Sequence, residues 1–419
     1  MLRSKTEKEI TVDVSIVGGG LSGGMLAAAL DQAGVSTALI DAHPTDALLS
    51  DSYDGRTTAI AFACGRLFKR LNLWAPLAPF ASPIREILIT DGNIATPSRS
   101  GGASDHFLRF SAETLDGDEP LGWIIENQRM RRTIIERIEA STSTHILAPT
   151  RRLKTSTLGG FSVTELDDGR RVKSYLTVAA DGKNSQLASE AGIRSFSWPY
   201  DQHAIIATIA HTRSHHGIAQ EFFLPSGPFA VLPLTEQRSS IVWTEKASKA
   251  QRFLSLSDKD FLRALKARLG DHLGDISLVG PKGSYPVGLS FAYRFYSNRL
   301  ALVGDAARAI HPIAGQGYNL GLKDIAALTD VISNARSLGQ DIGAIDVLQK
   351  YDRWRRFDST GLALGTDALN RLFSNSFPPI RAARRLGLSV VNRLPSMKEF
   401  FMRESGADLG DVPTLLQRV

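Results

Sequence analysis

Residues 300–322 read Leu-Ala-Leu-Val-Gly-Asp-Ala-Ala-Arg-Ala-Ile-His-Pro-Ile-Ala-Gly-Gln-Gly-Tyr-Asn-Leu-Gly-Leu. The apolar run 300–303 has the pattern of a short buried strand. Gly304 and Asp305 break it, which puts a carboxylate at the strand's carboxyl end, where ligands bind in open α/β sheets. The loop that follows, 311–317, is stiffened by Pro312, and Gly315 and Gly317 let backbone approach a ligand closely. From Tyr318 onward the apolar positions 320, 325 and 328 have helical spacing. Loop and helix start therefore present free N–H groups and a positive helix end to whatever lies above them. A ligand that develops negative charge suits that position.

A second such junction stands near the N-terminus. The strand pattern 12–17 runs into Gly18-Gly19-Gly20-Leu21-Ser22-Gly23-Gly24, and small residues then begin a helix. This is G-x-G-x-x-G between strand and helix, the setting in which it binds a dinucleotide. Gly18 allows the tight turn, Gly20 lets backbone approach a pyrophosphate, and Gly23 lets the helix pack on the strand. The next strand, 35–40, ends at Asp41, about 20 residues on, where an acid that binds a ribose hydroxyl is expected. A third apolar strand, 176–180, closes on Asp181-Gly182. Carboxyl ends of parallel strands lie side by side, so all three junctions can meet one extended cofactor.

Between these junctions, the polar loop 43–56 precedes a helical pattern over 59–71, with Arg56 placed to reach a phosphate. An apolar strand at 121–126 leads through Asn127 into a basic helix, 128–139. Residues 196–286 read as an inserted antiparallel sheet. His211, His215 and His216 read there as a polar hairpin loop rather than a metal site. The single cysteine, Cys64, rules out an internal disulfide and reads as a small buried thiol.

The chain has 419 residues, 43% hydrophobic and 22% charged, with a net charge of +6. That is enough for a large core and two domains. The basic residues are scattered, so nucleic acid is not an expected partner. No run reaches the ~20 apolar residues needed to span a bilayer. No signal-peptide pattern appears at the N-terminus, so a cytoplasmic location is expected. The C-terminal segment 371–403 interleaves arginines with leucines and phenylalanines. That pattern suits an anionic membrane face as well as packing on the protein's own body.

Taken together, the glycine fingerprint at 18–23, Ala180-Asp181-Gly182-x-x-Ser185 and Gly304-Asp305-Ala306-Ala307 resemble three motifs of FAD-dependent monooxygenases with the para-hydroxybenzoate hydroxylase fold. Asp54-x-Arg56, residues 227–233, 241–243 and 311–321 are similar to the ubiquinone-biosynthesis ring hydroxylases of the 2-octaprenyl-6-methoxyphenol hydroxylase type. The resemblance covers nearly the whole chain. It departs at Arg308, where a histidine is usual, and at Ala188, where an arginine is frequent.

The resemblance implies an α/β fold. A Rossmann-like FAD-binding domain would comprise residues 1–75, 111–195 and 287–335. An antiparallel-sheet substrate domain would comprise 76–110 and 196–286, and a helical region 336–419. It implies that Gly18, Gly20, Leu21, Ser22, Gly23 and Asp41 hold the ADP half of FAD. Arg56, Asn127, Asp181, Gly304, Asp305, Gly317 and Asn319 would complete the cofactor site, and Pro312, Ala314, Gly315 and Gln316 would face the flavin. NAD(P)H would be the reductant, and the substrates O₂ and a polyprenylated phenol. Peripheral association with the inner membrane face or with a quinone-biosynthesis complex fits this reading, as does a homo-oligomer. A flavin reductase, a hydroxylase of untailed aromatic acids and a non-catalytic isoprenoid-binding scaffold remain open on the same fold.

Overall fold

In the computed structural model, residues 8–49, 53–92, 107–114, 119–373 and 411–418 are described. Two large sheets and one small one organise them. The first sheet runs in the order Tyr296–Ser297, Leu300–Leu302, Arg171–Ala179, Glu9–Val17, Thr37–Ile40, Thr144–Leu147. Every pair but the first is parallel. The inner strands are buried on both faces: one is apolar, and on the other the buried hydroxyls of Ser15 and Thr177 bond each other at 2.7 Å. Val14, Ile16, Leu176 and Val178 are all fully buried. Val17 pairs with Ala179, and Ala179 with Leu302, so the three strands end level with one another.

The helix Leu21–Gln32 lies against Asn127–Glu139 and Gln316–Ser337. Its small residues allow the close approach: a Cβ on Gly24 would stand 2.7 Å from the Ile134 side chain. Behind Gln316–Ser337 runs the long helix Ile345–Phe373.

The second sheet has eight strands, in the order Arg308–Ala309, Ile276–Ala292, Ser195–His211, Arg238–Lys246, Gly227–Leu234, Ile218–Leu224, Glu86–Asp91, Phe107–Ser111. One face packs Phe229 and Trp243 on Phe261 and Leu265 of the helix Asp258–Leu269. The other face turns toward the nucleotide half, where Ala219, Phe223 and Leu234 pack with Ile84, Ile124 and Ile313.

Local readings shift in places. The helix expected from residue 59 is preceded by a strand, Thr57–Ala61, and starts only at Phe62. The β-branched residues Thr57, Thr58 and Ile60 suit a strand, and Gly122 lets the partner Gly122–Glu126 come close enough to pair: a Cβ there would meet the Ile60 carbonyl at 2.5 Å. The strands Ser195–His211 and Ile276–Ala292 each extend over 17 residues. Pro199 and the glycines between 280 and 288 look like breakers in sequence. The sheet absorbs them as register shifts near Pro199 and Ile206. The basic C-terminal segment read over 371–403 falls, beyond residue 373, outside the described residues, as does most of the loop read at 92–105.

Candidate functional site

The glycine turn is held by backbone contacts that leave no room for side chains. Gly18 has φ +105°, and a Cβ on it would lie 2.4 Å from the Ala180 carbonyl oxygen. A Cβ on Gly23 would lie 1.8 Å from the carbonyl oxygen of Gly18. Gly20 differs, because a Cβ there would meet nothing within 4 Å. It borders open space at the mouth of the turn. The Gly19 N–H donates to Asp41 Oδ2 at 2.5 Å, and the His43 N–H donates to Asp41 Oδ1 at 2.7 Å. The acid is therefore anchored to the turn.

Chain segments about three hundred positions away close on the same turn. The Tyr318 hydroxyl donates to the Leu21 carbonyl at 3.3 Å. Gly304, with φ +60°, sits so close to Ser22 that a Cβ would stand 2.9 Å from its hydroxyl oxygen. Asp305 follows in a short 3₁₀ turn, Gly304–Ala306. Its side chain reaches solvent, but the crowding protein around it raises its carboxyl above the ordinary value. The charges of Arg308 and Lys183 pull the other way.

Burial raises the Tyr285 hydroxyl as well. Arg56 opposes that shift and Asp305 adds to it, so both lie within electrostatic reach of Tyr285. Arg56 is exposed, and its strand Thr57–Ala61 is tied to the second sheet by Thr57, whose hydroxyl donates to Ser240 at 2.7 Å.

The loop after Asp305 forms a 3₁₀ turn, Ile313–Gly315, and Gly315 caps the helix Gln316–Ser337 in the left-handed conformation with φ +61°. The first N–H groups of this 22-residue helix have no partner within the helix and no side-chain cap. Pro312 precedes the turn, Gln316 is buried at the helix start, and Gly317 borders open space. The Asn319 side chain is turned inward. Its Oδ1 accepts from Ala61 N–H at 2.9 Å, and its Nδ2 donates to the carbonyls of Ala59 at 2.9 Å and Gly315 at 3.1 Å. It braces the loop against the Thr57–Ala61 strand.

Asn127 is likewise engaged, accepting from the Thr58 hydroxyl at 2.6 Å. Its neighbour Gln128, which the sequence did not single out, is buried, and its Oε1 has no hydrogen-bond partner among the described residues. Position offered the signal: it too stands at the junction of an apolar strand and a helix. Asp181 is similar. Its Oδ2 accepts from the Gln186 N–H at 3.0 Å, while its Oδ1 is buried without a partner among the described residues. The three histidines stand apart from this site. His211 bonds the Arg213 carbonyl and the Ser239 hydroxyl, and His215 bonds the Leu234 carbonyl. No helix among the described residues is long and apolar enough to cross a membrane.

Level strand ends, a glycine turn open at Gly20, a buried Asp181 Oδ1 without a partner among the described residues, and a helix start whose first N–H groups have no partner within the helix suit an extended dinucleotide. They define the class as FAD-binding proteins of the monooxygenase type. The family described as "FAD binding domain" matches residues 11–356. The chain is 44% identical to the ubiquinone hydroxylase UbiL of Rhodospirillum rubrum, over 97% of its own length and 92% of the relative's. It is 31% identical to the 3-demethoxyubiquinol 3-hydroxylase of Escherichia coli, over 92% of its length and 96% of that protein's. The crystal structure of a p-nitrophenol 4-monooxygenase from Pseudomonas putida has the same fold, with TM-score 0.77 at 18% identity, covering 94% of this chain and 98% of that one.

The chain belongs to the ubiquinone-biosynthesis hydroxylase family of FAD-dependent monooxygenases. Its cofactor is FAD, its reductant NAD(P)H, and the reaction it catalyses is an aromatic-ring monooxygenation that uses O₂.

Proposed function

We propose that the chain hydroxylates the aromatic ring of a polyprenylated phenol on the route to ubiquinone. The observation that carries this reading is the apolar face of the second sheet, where Ala219, Phe223 and Leu234 pack with Ile313 of the loop at the Gln316 helix start. A hydrophobic ring and the first units of its tail suit a wall of that chemistry. Bound FAD supplies the oxygen chemistry, and the protein supplies orientation and a dry site.

In this reading residues 1–75, 111–195 and 287–335 carry the cofactor, and 76–110 and 196–286 form the cover. Gly18, Gly20, Leu21, Ser22 and Gly23 cradle the pyrophosphate on the N-terminus of the first helix. Asp41 takes the ribose hydroxyls, and Asp305 those of the ribityl chain. Arg56 reaches the pyrophosphate or ribityl region, with Asn127, Asp181 and Gly304 around it. Pro312, Ala314, Gly315, Gln316 and Gly317 line the flavin face, where the helix end stabilises reduced, anionic flavin. Asn319 serves by holding that loop in place. A tailed substrate resides in lipid, so the protein works at the inner membrane surface or within a quinone-forming complex.

Deleting the gene and identifying the quinone precursor that accumulates tests the reading. A prenylated phenol lacking one ring hydroxyl is expected. An unchanged quinone pool overturns it.

A further inference from the structure

The sheet face that looks toward the 312–317 loop carries a carboxyl that nothing in the protein explains. Ala219 and Phe223 of the strand Ile218–Leu224 share one packed cluster with Ile313, and Ile87, Ile89 and Leu232 pack against it. Glu221 lies midway between Ala219 and Phe223, so strand alternation turns it to the same face. Its cross-strand partners are Ile89 on one side and Ala230 on the other. Among the described residues, no hydrogen bond or ion pair reaches its carboxyl.

The charged and titratable groups near this face are engaged elsewhere. Arg238 donates to Glu126 at 2.7 Å, His311 accepts from the Ile313 N–H at 3.3 Å, and Asp91 is buried at the end of its strand with a partner of its own. Burial alone pushes the Glu221 carboxyl up to about 8. It is therefore largely neutral at pH 7, with one O–H to donate and one oxygen to accept. Glu221 is half-buried, so its carboxyl sits at the edge of an apolar wall and can still be reached from outside it. A partner that is small, polar and attached to an apolar body suits that position.

We propose that Glu221 hydrogen-bonds the ring hydroxyl of the phenolic substrate and thereby fixes which ring carbon faces the 312–317 loop. The inference rests on the functional reading above and adds to it the residue that orients the ring.

The test uses FAD-loaded enzyme with a short-tailed prenyl phenol in detergent, comparing wild type with Glu221→Leu and Glu221→Gln. Leucine suits the apolar surroundings and removes the carboxyl, so FAD content is expected to hold and the melting temperature to hold or rise. KM for the phenol should rise about tenfold or more in the leucine variant, the scale of one lost buried hydrogen bond. A smaller share of the NAD(P)H consumed should appear as hydroxylated product. Glutamine, which still donates and accepts, should stay within a few-fold of wild type.

Wild-type KM and coupling in the leucine variant would overturn the assignment while leaving the functional reading intact. A wild-type enzyme that hydroxylates no prenyl phenol would overturn both. If the leucine variant loses its FAD, the decision passes to wild type alone. It should prefer the phenol to its methyl ether by about tenfold, and equal use of the two would end the proposal.

Discussion

Asp324 holds Arg308 with both carboxylate oxygens, each at 2.8 Å, and the same carboxylate accepts the backbone N–H of Gly304 at 3.0 Å. Arg355 adds a third contact, from its Nε to Asp324 Oδ1 at 2.9 Å. All three charged side chains are almost completely buried. The turn that presents Asp305 is thus fixed from below by an ion cluster. Arg308, which stands where the resembled motif usually has histidine, points into that cluster and lies over Phe295 at 5.2 Å. The substitution changes how the turn is supported and leaves Asp305 at the surface.

Removing the shared carboxylate should therefore unsettle fold and cofactor site together. Asp324→Ala leaves Arg308 buried without its counter-ion and Arg355 with Asp358 alone, at a cost of about 3–5 kcal/mol. Urea unfolding should show that loss, with FAD content falling in step. A variant of wild-type stability would show that water compensates the cluster.

Two glycines three residues apart, Gly20 and Gly23, should behave oppositely, because one meets nothing and the other meets backbone.

 A Cβ on Gly23 would overlap the Gly18 carbonyl, whereas one on Gly20 would touch no protein atom. Gly23→Ala should lower the melting temperature of the apoprotein. Gly20→Ala should leave it unchanged and still weaken FAD binding about tenfold or more, since the new methyl occupies the approach to the pyrophosphate. Flavin fluorescence titration beside thermal melts separates the two effects. Normal FAD affinity in Gly20→Ala would remove that glycine from the cofactor site.

Glu221 should make stability depend on pH. Its folded value of about 8 lies above the ordinary 4.5, so the native state holds a proton that the unfolded chain releases. Stability is then highest below pH 4.5 as far as this group is concerned, and falls as pH rises from 4.5 to about 8. Glu221→Gln should flatten that part of the profile in the substrate-free protein. An identical slope in both proteins would place the titration elsewhere.

Cys64 is fully buried, its thiol is pushed up to about 12, and its Sγ lies 3.8 Å from the Asn319 carbonyl. A thiol reagent at pH 8 should therefore leave the native protein unlabelled and react stoichiometrically in denaturant. Rapid labelling of the native state would mean that the Phe62–Arg70 helix opens readily.

The parallel half of the fold was legible because each of its signals is local. An apolar run that ends in Gly18, Asp181 or Gly304 shows in the sequence what lies at the end of a buried strand. Less was legible where pairing partners decide the outcome. Thr57–Ala61 is a strand because Gly122–Glu126 lies beside it. The 17-residue strands Ser195–His211 and Ile276–Ala292 support each other through residues that break isolated strands. Local propensity cannot register a neighbour that the chain supplies a hundred residues later.

The sequence by itself determined the class of cofactor, the three strand-end junctions at Gly18, Asp181 and Gly304, and the loop that leads into the Gln316 helix, because glycine, proline and strand-terminal acids constrain the backbone wherever they occur. Only the tertiary structure decided what those side chains do for one another. It turned Asn319 inward to brace the loop, placed Arg308 under Gly304, left Gln128 Oε1 without a partner among the described residues, and set Glu221 on an apolar wall. Those outcomes depend on burial and on contacts between distant segments, and neither exists until the sheets have packed.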